Sequence, residues 1–176
     1  MSISFEVVRG EELSSAAREE IVSFCSQAYG EDMRPILNTF QRPTHVLARR
    51  DGVLVSHALW VTRWLQVSPL PAMRTAYVEA VATGKPFRGQ GYGSAVMRRL
   101  AQEIVDFDLA ALSPSDPAFY ERLGWELWRG PLFIRKDSEL LPSPEDEQVM
   151  VLRLPRTPAL DVTRALSAEW REGELW

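Results

Sequence analysis

Three glycines within the seven residues Arg88–Ser94 (RGQGYGS) could bring backbone groups close to a ligand. The segment follows an apolar stretch and precedes apolar residues at helical spacing, so it connects a predicted strand to a predicted helix. Backbone N–H groups at the start of a helix point outward with partial positive charge, and a loop with few side chains can surround a phosphate. The segment therefore predicts a site for a phosphorylated ligand, although glycines also serve simply to form tight turns.

Two common phosphate-loop patterns do not fit. A Walker loop requires a glycine five residues before its Gly-Lys pair and a Ser or Thr after it, whereas Gly84-Lys85 is preceded by Glu79 and followed by Pro86. A dinucleotide-binding fingerprint requires a third glycine at the position that Ser94 occupies. The loop must belong to another class.

Carboxylates form the second group of residues that could do chemistry. Glu79 interrupts the apolar stretch RTAYVEAVAT, where a carboxylate is costly unless it is paired or functional. The acidic run Glu145-Asp146-Glu147 is typical of a solvated surface, but a group of carboxylates also attracts and holds a polycation. We therefore interpret Glu79 as a functional residue and leave both interpretations of the acidic run open.

The elements that must position these residues alternate along the chain. Hydrophobic spacing and turn signals predict strands over residues 3–8, 74–83, 108–113, 125–130, 132–135 and 148–154, and a hairpin of residues 44–50 and 53–67 around Asp51-Gly52. They also predict helices over residues 15–29, 33–41 and 117–123, and one from the glycine loop to about residue 107. The 176 residues suffice for one core, so we expect one domain over residues 1–176.

Composition narrows the classes of function. The net charge of -4 argues against a nucleic-acid partner, which requires a basic face, and a single cysteine, Cys25, excludes an intrachain disulfide. The start of the chain lacks a signal-peptide pattern, and no apolar run reaches the roughly 18 residues of a membrane span, so we expect a cytoplasmic protein without a membrane partner. His45 and His57 have no metal-ligand spacing, and we expect both to be structural and no metal to be bound.

The loop itself carries a family resemblance. Arg88, Gly91 and Gly93 match the pattern Arg/Gln-x-x-Gly-x-Gly/Ala, which resembles the acetyl-CoA pyrophosphate loop of the GCN5-related N-acetyltransferases (GNAT). That resemblance covers nearly the whole chain and implies an α+β fold: a mixed, mostly antiparallel central sheet of six to seven strands with flanking helices and a splay between strands 4 and 5. It also implies that acetyl-CoA is the co-substrate and that its binding residues are Val81, Ala82, Thr83, Arg88, Gly89, Gln90, Gly91, Tyr92 and Gly93.

A narrower resemblance concerns segments spread over the chain. YVEAVAT, ALSPS, FYERLGWELWRGP, PSPEDEQVMVL and the final WREGELW are similar to the aminoglycoside 2′-N-acetyltransferases. This implies a role in antibiotic resistance, a tail over residues 155–176 that completes the acceptor cleft, and acceptor-binding residues Asp32, Glu79, Ser113, Asp146, Glu174 and Trp176 with its carboxylate. Within that tail we expect Trp170 to be the anchor. The family has a second aspartate a few residues after the position of Asp32. This chain reads RPILNT there, and the polar residue nearest to the expected position is Asn38.

The chemistry that the resemblance implies needs few groups. The catalytic residues would be Glu79, Tyr120 and Ser113: Glu79 accepts the amine proton through a water, and Tyr120 protonates the departing sulfur. The Val81–Ala82 backbone would stabilise the negatively charged carbonyl oxygen.

Several functions therefore remain open. The residues and the resemblance favour transfer of an acetyl group to a primary amine of a small polycationic molecule, most of all the 2′-amine of an aminoglycoside. The alternatives are a GNAT acetyltransferase for another small amine, a polyamine or a peptide, and an acyl-CoA-binding module without catalysis. The sequence leaves a homodimer open.

Overall fold

The structure of the protein, a computed structural model, describes residues 3–176. The α-helices of this part of the chain are α1 (Ser15–Tyr29), α2 (Arg34–Leu37), α3 (Tyr92–Glu103) and α4 (Pro117–Glu121). Its strands are β1 (Ile3–Arg9), β2 (Thr44–Arg50), β3 (Val53–Val67), β4 (Met73–Thr83), β5 (Leu109–Leu112), β6 (Glu126–Leu127), β7 (Leu132–Lys136), β8 (Glu139–Pro142), β9 (Met150–Leu152) and β10 (Leu166–Glu169).

The chain divides into two compact units. The first comprises Met1–Val61 and Val78–Glu103, and the second comprises Thr62–Tyr77 and Ile104–Trp176. The long strands β3 and β4 each contribute residues to both units. The single domain over residues 1–176 stays a prediction.

The first unit contains the predicted hairpin and the first helix. β1 pairs antiparallel with β2, and β2 pairs antiparallel with β3 around Asp51 and Gly52, which both have positive φ. The Ser14 side chain accepts a hydrogen bond from the Ala17 N–H at 3.1 Å, which caps α1 at its predicted start. The helix ends at Gly30, whose φ of 82° gives the left-handed conformation that terminates many helices.

The core of the first unit lies between α1, α2 and the strands. Its buried members are Ile21, Cys25, Met33, Leu47, Leu54 and Ala82. Burying these side chains stabilises the unit by roughly 25 cal/mol for each Å² of apolar surface removed from water. The same packing fixes the end of β4, which carries Ala82.

The second unit contains a sheet in the order β6-β9-β5-β4-β3-β10-β7-β8. β4 pairs parallel with β5 and β10 pairs parallel with β7, whereas β10–β3, β5–β9, β6–β9 and β7–β8 are antiparallel. The predicted mixed, mostly antiparallel sheet is therefore confirmed. The register of β4 with β5 runs from Thr75↔Leu109 to Tyr77↔Ala111, and β4 continues beyond this pairing to Thr83.

The strand count was underestimated. We predicted six to seven strands, and the described residues form ten. The predicted segments 125–130 and 132–135 contain β6 and most of β7, whereas the short strands β8 and β10 were not predicted. β8 and β10 have four residues each, too few for a local pattern, and β10 depends on pairing with β3, which is distant in the sequence. Helix α2 is also shorter than predicted.

No helix among residues 3–176 combines the length and the apolar composition needed to cross a membrane.

Candidate functional site

The glycine loop lies in the first unit and has an open backbone. Gly89 and Gly91 have φ of +74° and +84°, and a Cβ added at either position would meet no other atom within 4 Å. The Gly91 carbonyl accepts the first hydrogen bond of α3 from the Ala95 N–H at 2.9 Å. The N–H groups of Tyr92, Gly93 and Ser94 therefore occupy the first turn of α3, where the helix itself provides no acceptor. This arrangement suits an anionic group such as a phosphate.

The side chain of Arg88 connects the loop to its surroundings. Its Nη2 donates to the Ala28 carbonyl at 2.8 Å and its Nε donates to the Thr83 carbonyl at 3.3 Å. Both acceptors belong to the first unit, so Arg88 ties the loop to the end of α1 and to the end of β4. In the structure, Arg88 therefore holds the loop in place through its side chain.

A second arginine beside the loop was missed by sequence reasoning. Arg50 donates to the Tyr92 hydroxyl at 3.2 Å and to Gln90 Oε1 at 3.4 Å, and Gln90 donates to the Pro86 carbonyl at 3.0 Å. Arg50 ends β2, far from the loop in sequence, so no local pattern indicates it. Its guanidinium adds positive charge next to the proposed phosphate site.

The end of β4 presents backbone groups that already have side-chain partners. The Tyr29 hydroxyl donates to the Val81 carbonyl at 3.0 Å, and the Ser56 hydroxyl donates to the Ala82 carbonyl at 2.9 Å. The Thr83 hydroxyl lies 3.0 Å from that of Ser56. These contacts fix the strand end and occupy one acceptor site on each carbonyl.

The two other candidate residues of the first unit have different surroundings. Glu79 lies half-buried on β4, one residue before Ala80, which has the positive φ of 49° that is rare for a residue with a side chain. Asp32 is exposed, and its Oδ1 accepts a hydrogen bond from the Arg34 N–H at 3.0 Å at the start of α2. Asp32 therefore has a structural contact in addition to any role in acceptor binding.

Three carboxylates come together in the second unit. The pKa of Glu147 is raised, first because the group is partly removed from water and then because Asp146 and Glu174 lie near enough to repel its charge. Asp146 and Glu174 are exposed, whereas Glu147 is half-buried. The predicted acceptor residues Asp146 and Glu174 thus lie in one acidic cluster, with Glu147 as a member that the sequence analysis did not single out.

Arg63 holds the chain segment that carries Glu174. Its side chain is 1% exposed, and its Nη groups donate to the Leu175 and Glu169 carbonyls, both at 2.6 Å. Its Nε lies 3.3 Å from Glu169 Oε1, and its guanidinium stacks 5.0 Å from the Tyr77 ring centre. An arginine inside the apolar run VLVSHALWVTRWLQV is the signal that could have indicated such a partner.

The anchor of the tail is Trp176, so the prediction for Trp170 was wrong. Trp170 is 47% exposed and lies against the Lys136 ammonium, whereas Trp176 is 3% exposed and its indole N–H donates to the Ser143 hydroxyl at 2.7 Å. Arg63 and Ser143 provide the polar partners near the end of the segment, and both are distant from the tail in sequence. Trp176 packs in the second unit together with the segment that leads to the acidic cluster.

Tyr120 is packed on α4 in the second unit. It is 6% exposed and makes edge contacts with the rings of Phe119 and Trp125. Burial, and then the nearby Asp116 charge, raise the pKa of Tyr120 to about 12. The hydroxyl therefore keeps its proton at neutral pH, as a general acid must. Ser113 is exposed and directly follows β5.

The candidate residues thus fall into two groups. The first unit brings together the residues proposed for acetyl-CoA with Glu79 and Asp32, and the second unit brings together Asp146, Glu174 and Trp176 and also contains Ser113 and Tyr120. Among residues 3–176, no group of three His, Cys, Asp or Glu side chains is placed to hold a metal ion.

Comparison with known proteins supports the family. A model described as an acetyltransferase (GNAT) domain matches residues 11–128. An aminoglycoside 2′-N-acetyltransferase from Mycolicibacterium fortuitum is 36% identical over 138 residues, which cover 75% of this chain and 70% of that protein.

Solved structures show the same fold. A GNAT family N-acetyltransferase, YhbS from Escherichia coli in complex with CoA, matches with a TM-score of 0.64 at 16% identity, over 97% of this chain and 90% of that one. Eis1 from Mycobacterium abscessus matches with a TM-score of 0.63 at 18% identity, over 75% of this chain but only 33% of that longer one. Together with the family match, these likenesses lead to one conclusion: the chain belongs to the GNAT family, and the protein is an N-acetyltransferase.

Proposed function

We propose that the protein transfers an acetyl group from acetyl-CoA to a primary amine of a small polycation, and that this amine is the 2′-amine of an aminoglycoside. The observation that carries the acceptor class is the acidic cluster of Asp146, Glu147 and Glu174, in which mutual repulsion helps to raise the pKa of Glu147. A ligand with several ammonium groups relieves that repulsion and forms charge-assisted hydrogen bonds. The relative from Mycolicibacterium fortuitum, an aminoglycoside 2′-N-acetyltransferase, supports the same acceptor.

The glycine loop supports acetyl-CoA as the donor. The space around Gly91 is open, and the first turn of α3 points N–H groups outward, so the pyrophosphate has room and hydrogen-bond donors. Arg88 holds the loop to β4 and α1, and Arg50 adds positive charge beside Tyr92. The residues of the loop therefore fit the pyrophosphate of acetyl-CoA.

The chemistry uses few side chains. Acetyl-CoA supplies an acyl carbon activated as a thioester. Glu79 takes a proton from the acceptor ammonium through a water, which frees the nitrogen lone pair to form the amide bond. Backbone N–H groups at Val81 and Ala82 stabilise the charge that grows on the carbonyl oxygen, and Tyr120 donates its proton to the sulfur as the carbon–sulfur bond breaks.

Two features of the first unit favour a second candidate acceptor. Asn38 lies near the position at which the family resemblance implies a second aspartate, and Asp32 already accepts a hydrogen bond from the Arg34 backbone. Both features weaken the charge that the first unit offers to a large polycation. A smaller amine, such as a polyamine, is therefore the alternative acceptor.

A panel of acceptors separates the two. Thiol release from acetyl-CoA would be followed with gentamicin, neomycin, spermidine and a lysine-containing peptide at equal concentration. We expect kcat/KM to be highest with the aminoglycosides. Faster turnover with spermidine or the peptide would replace the aminoglycoside proposal with the alternative.

A further inference from the structure

Two buried histidines form a hydrogen-bonded pair in the first unit. His45 on β2 and His57 on β3 are 5% and 0% exposed, and His45 Nδ1 lies 2.9 Å from His57 Nε2. The pair lies beneath α1, where Cys25 Sγ is 3.5 Å from His57 Nδ1. The proposed reaction uses neither ring, although burying two polar rings in a core of this size has a free-energy cost.

The partners of the two rings determine where their protons lie. His57 Nδ1 is 2.8 Å from the Ala80 carbonyl oxygen, which can only accept, so Nδ1 carries the proton. His57 Nε2 is then an acceptor, and the proton between the rings belongs to His45 Nδ1. Both rings are neutral with the proton on Nδ1, and Cys25 is at most a weak second acceptor for the His57 N–H.

The Ala80 carbonyl belongs to the unusual point of β4. Ala80 has a φ of 49°, and it separates Glu79 from Val81. A residue with a Cβ adopts this conformation at a cost of roughly 1–2 kcal/mol, and it keeps the conformation only where the surroundings enforce it. The hydrogen bond from His57 is a contact that enforces it, because it fixes the direction of the peptide group that follows Ala80.

We propose that His57 is a positioning residue for acetyl transfer: its Nδ1–H holds the Ala80 carbonyl and thereby sets the directions of the Glu79 side chain and the Val81 N–H, and His45 locks the required proton on His57. The inference rests on the proposed function, because that function assigns proton transfer to Glu79 and stabilisation of the carbonyl oxygen to the Val81 N–H.

The environment of the pair keeps both rings in the required state. Burial, then the neighbouring His57, and then the Arg18 charge lower the pKa of His45 to about 3. Burial lowers the pKa of His57 to about 4, while its hydrogen bond to Ala80 opposes the shift. Burial also raises the pKa of Cys25 to about 12, so the neighbouring thiol carries no charge at neutral pH.

The proton positions can be measured without any assay of activity. The chain has two histidines, so labelling histidine with ¹⁵N gives an NMR spectrum of two rings only. We expect both rings to show a protonated Nδ1 and an unprotonated Nε2 at pH 7, and neither to titrate near 6.5. A protonated Nε2 on His57, or an ordinary titration of either ring, would overturn the inference.

Two substitutions test the positioning role. In His57→Asn the amide N–H lies near the place of Nδ1 and can still reach the Ala80 carbonyl, whereas in His57→Gln it lies near the place of Nε2. We expect kcat to fall about tenfold or more in His57→Gln and to stay within about threefold of the wild type in His57→Asn, because small displacements of reacting groups have large effects on rate. Equal kcat values for the two variants would contradict the inference.

The two proposals fail in different ways. If the aminoglycoside proposal is wrong, the wild-type protein turns over no aminoglycoside, while the two histidine rings still show protonated Nδ1. If the positioning role is wrong, the wild type is active and the two variants are equally active. Should both variants fail to fold, the histidine spectrum of the wild-type protein decides, with an unprotonated Nδ1 on His57 counting against the role.

Discussion

The glycine loop and the acidic cluster are built in opposite ways. The loop, as the proposed donor site, offers backbone groups whose positions follow from adjacent residues, Gly89, Gly91 and the first turn of α3. The cluster of Asp146, Glu147 and Glu174, as the proposed acceptor site, offers side chains, and the segment that carries Glu174 is held by Arg63, more than a hundred residues away in sequence. Donor binding should therefore be sensitive to local backbone changes, and acceptor binding to distant packing.

Replacement of Arg63 should have the largest energetic effect, and it tests whether distant packing holds the segment that carries Glu174. Arg63→Leu leaves the Leu175 and Glu169 carbonyls without their buried donor, so we expect the free energy of unfolding to fall by about 3–5 kcal/mol. Urea denaturation measures it, with Arg34→Gln as the control because the Arg34–Glu19 pair is exposed and should contribute little to stability. A loss below about 1 kcal/mol in Arg63→Leu would mean that the tail has other anchors.

Tyr120→Phe should have the next largest effect and separates chemistry from binding. Removing the hydroxyl removes the proposed proton donor to sulfur but keeps the buried ring, so we expect kcat to fall about 10²-fold with little change in acetyl-CoA affinity. Single-turnover kinetics measures the chemical step, and thermal unfolding checks that the packing against Phe119 and Trp125 is retained. An unchanged single-turnover rate would leave Tyr120 with a packing role alone.

A pair of glycines tests whether donor binding depends on the local backbone of the glycine loop. Gly91 and Gly52 have nearly equal φ, +84° and +81°, and both have open space around an added Cβ. Gly91→Ala and Gly52→Ala should therefore cause similar backbone strain, but only the first adds a methyl group where the pyrophosphate is proposed to bind. We expect acetyl-CoA affinity to fall about tenfold in Gly91→Ala alone, a difference of about 1.4 kcal/mol. Calorimetric titration that finds equal affinities would remove the loop from the donor site.

The smallest effect should come from the acidic cluster. Asp146→Asn combined with Glu174→Gln should raise the aminoglycoside KM several-fold at low salt, and the effect should shrink at higher salt because screening acts over about 8 Å at physiological ionic strength. The control pair, Asp137→Asn with Glu139→Gln, changes the net charge equally at the β7–β8 turn. Equal KM changes in both pairs would show that only net charge matters. Point substitutions are preferable to truncation, since Trp176 is buried and its loss would also disturb packing.

The comparison also explains what the sequence could predict. The glycine loop, the hairpin at Asp51-Gly52 and the capped helix α1 were predicted because neighbouring residues determine them. Strand β10, the buried Trp176 and the role of Arg63 depend on contacts between residues far apart in sequence, so composition and spacing do not encode them locally. The positive φ of Ala80 belongs with these, because alanine carries no local signal for it and the His57 contact comes from another strand.

One matched pair of acceptors tests the central claim most directly. Kanamycin B has an amine at the 2′ position and kanamycin A has a hydroxyl there, and the two are otherwise the same. With acetyl-CoA labelled in the acetyl group, the account predicts rapid thiol release with kanamycin B, an NMR signal for one new amide on its 2′-nitrogen, and little reaction with kanamycin A. Equal turnover of the two, or an acetyl group on another nitrogen of kanamycin B, would contradict it.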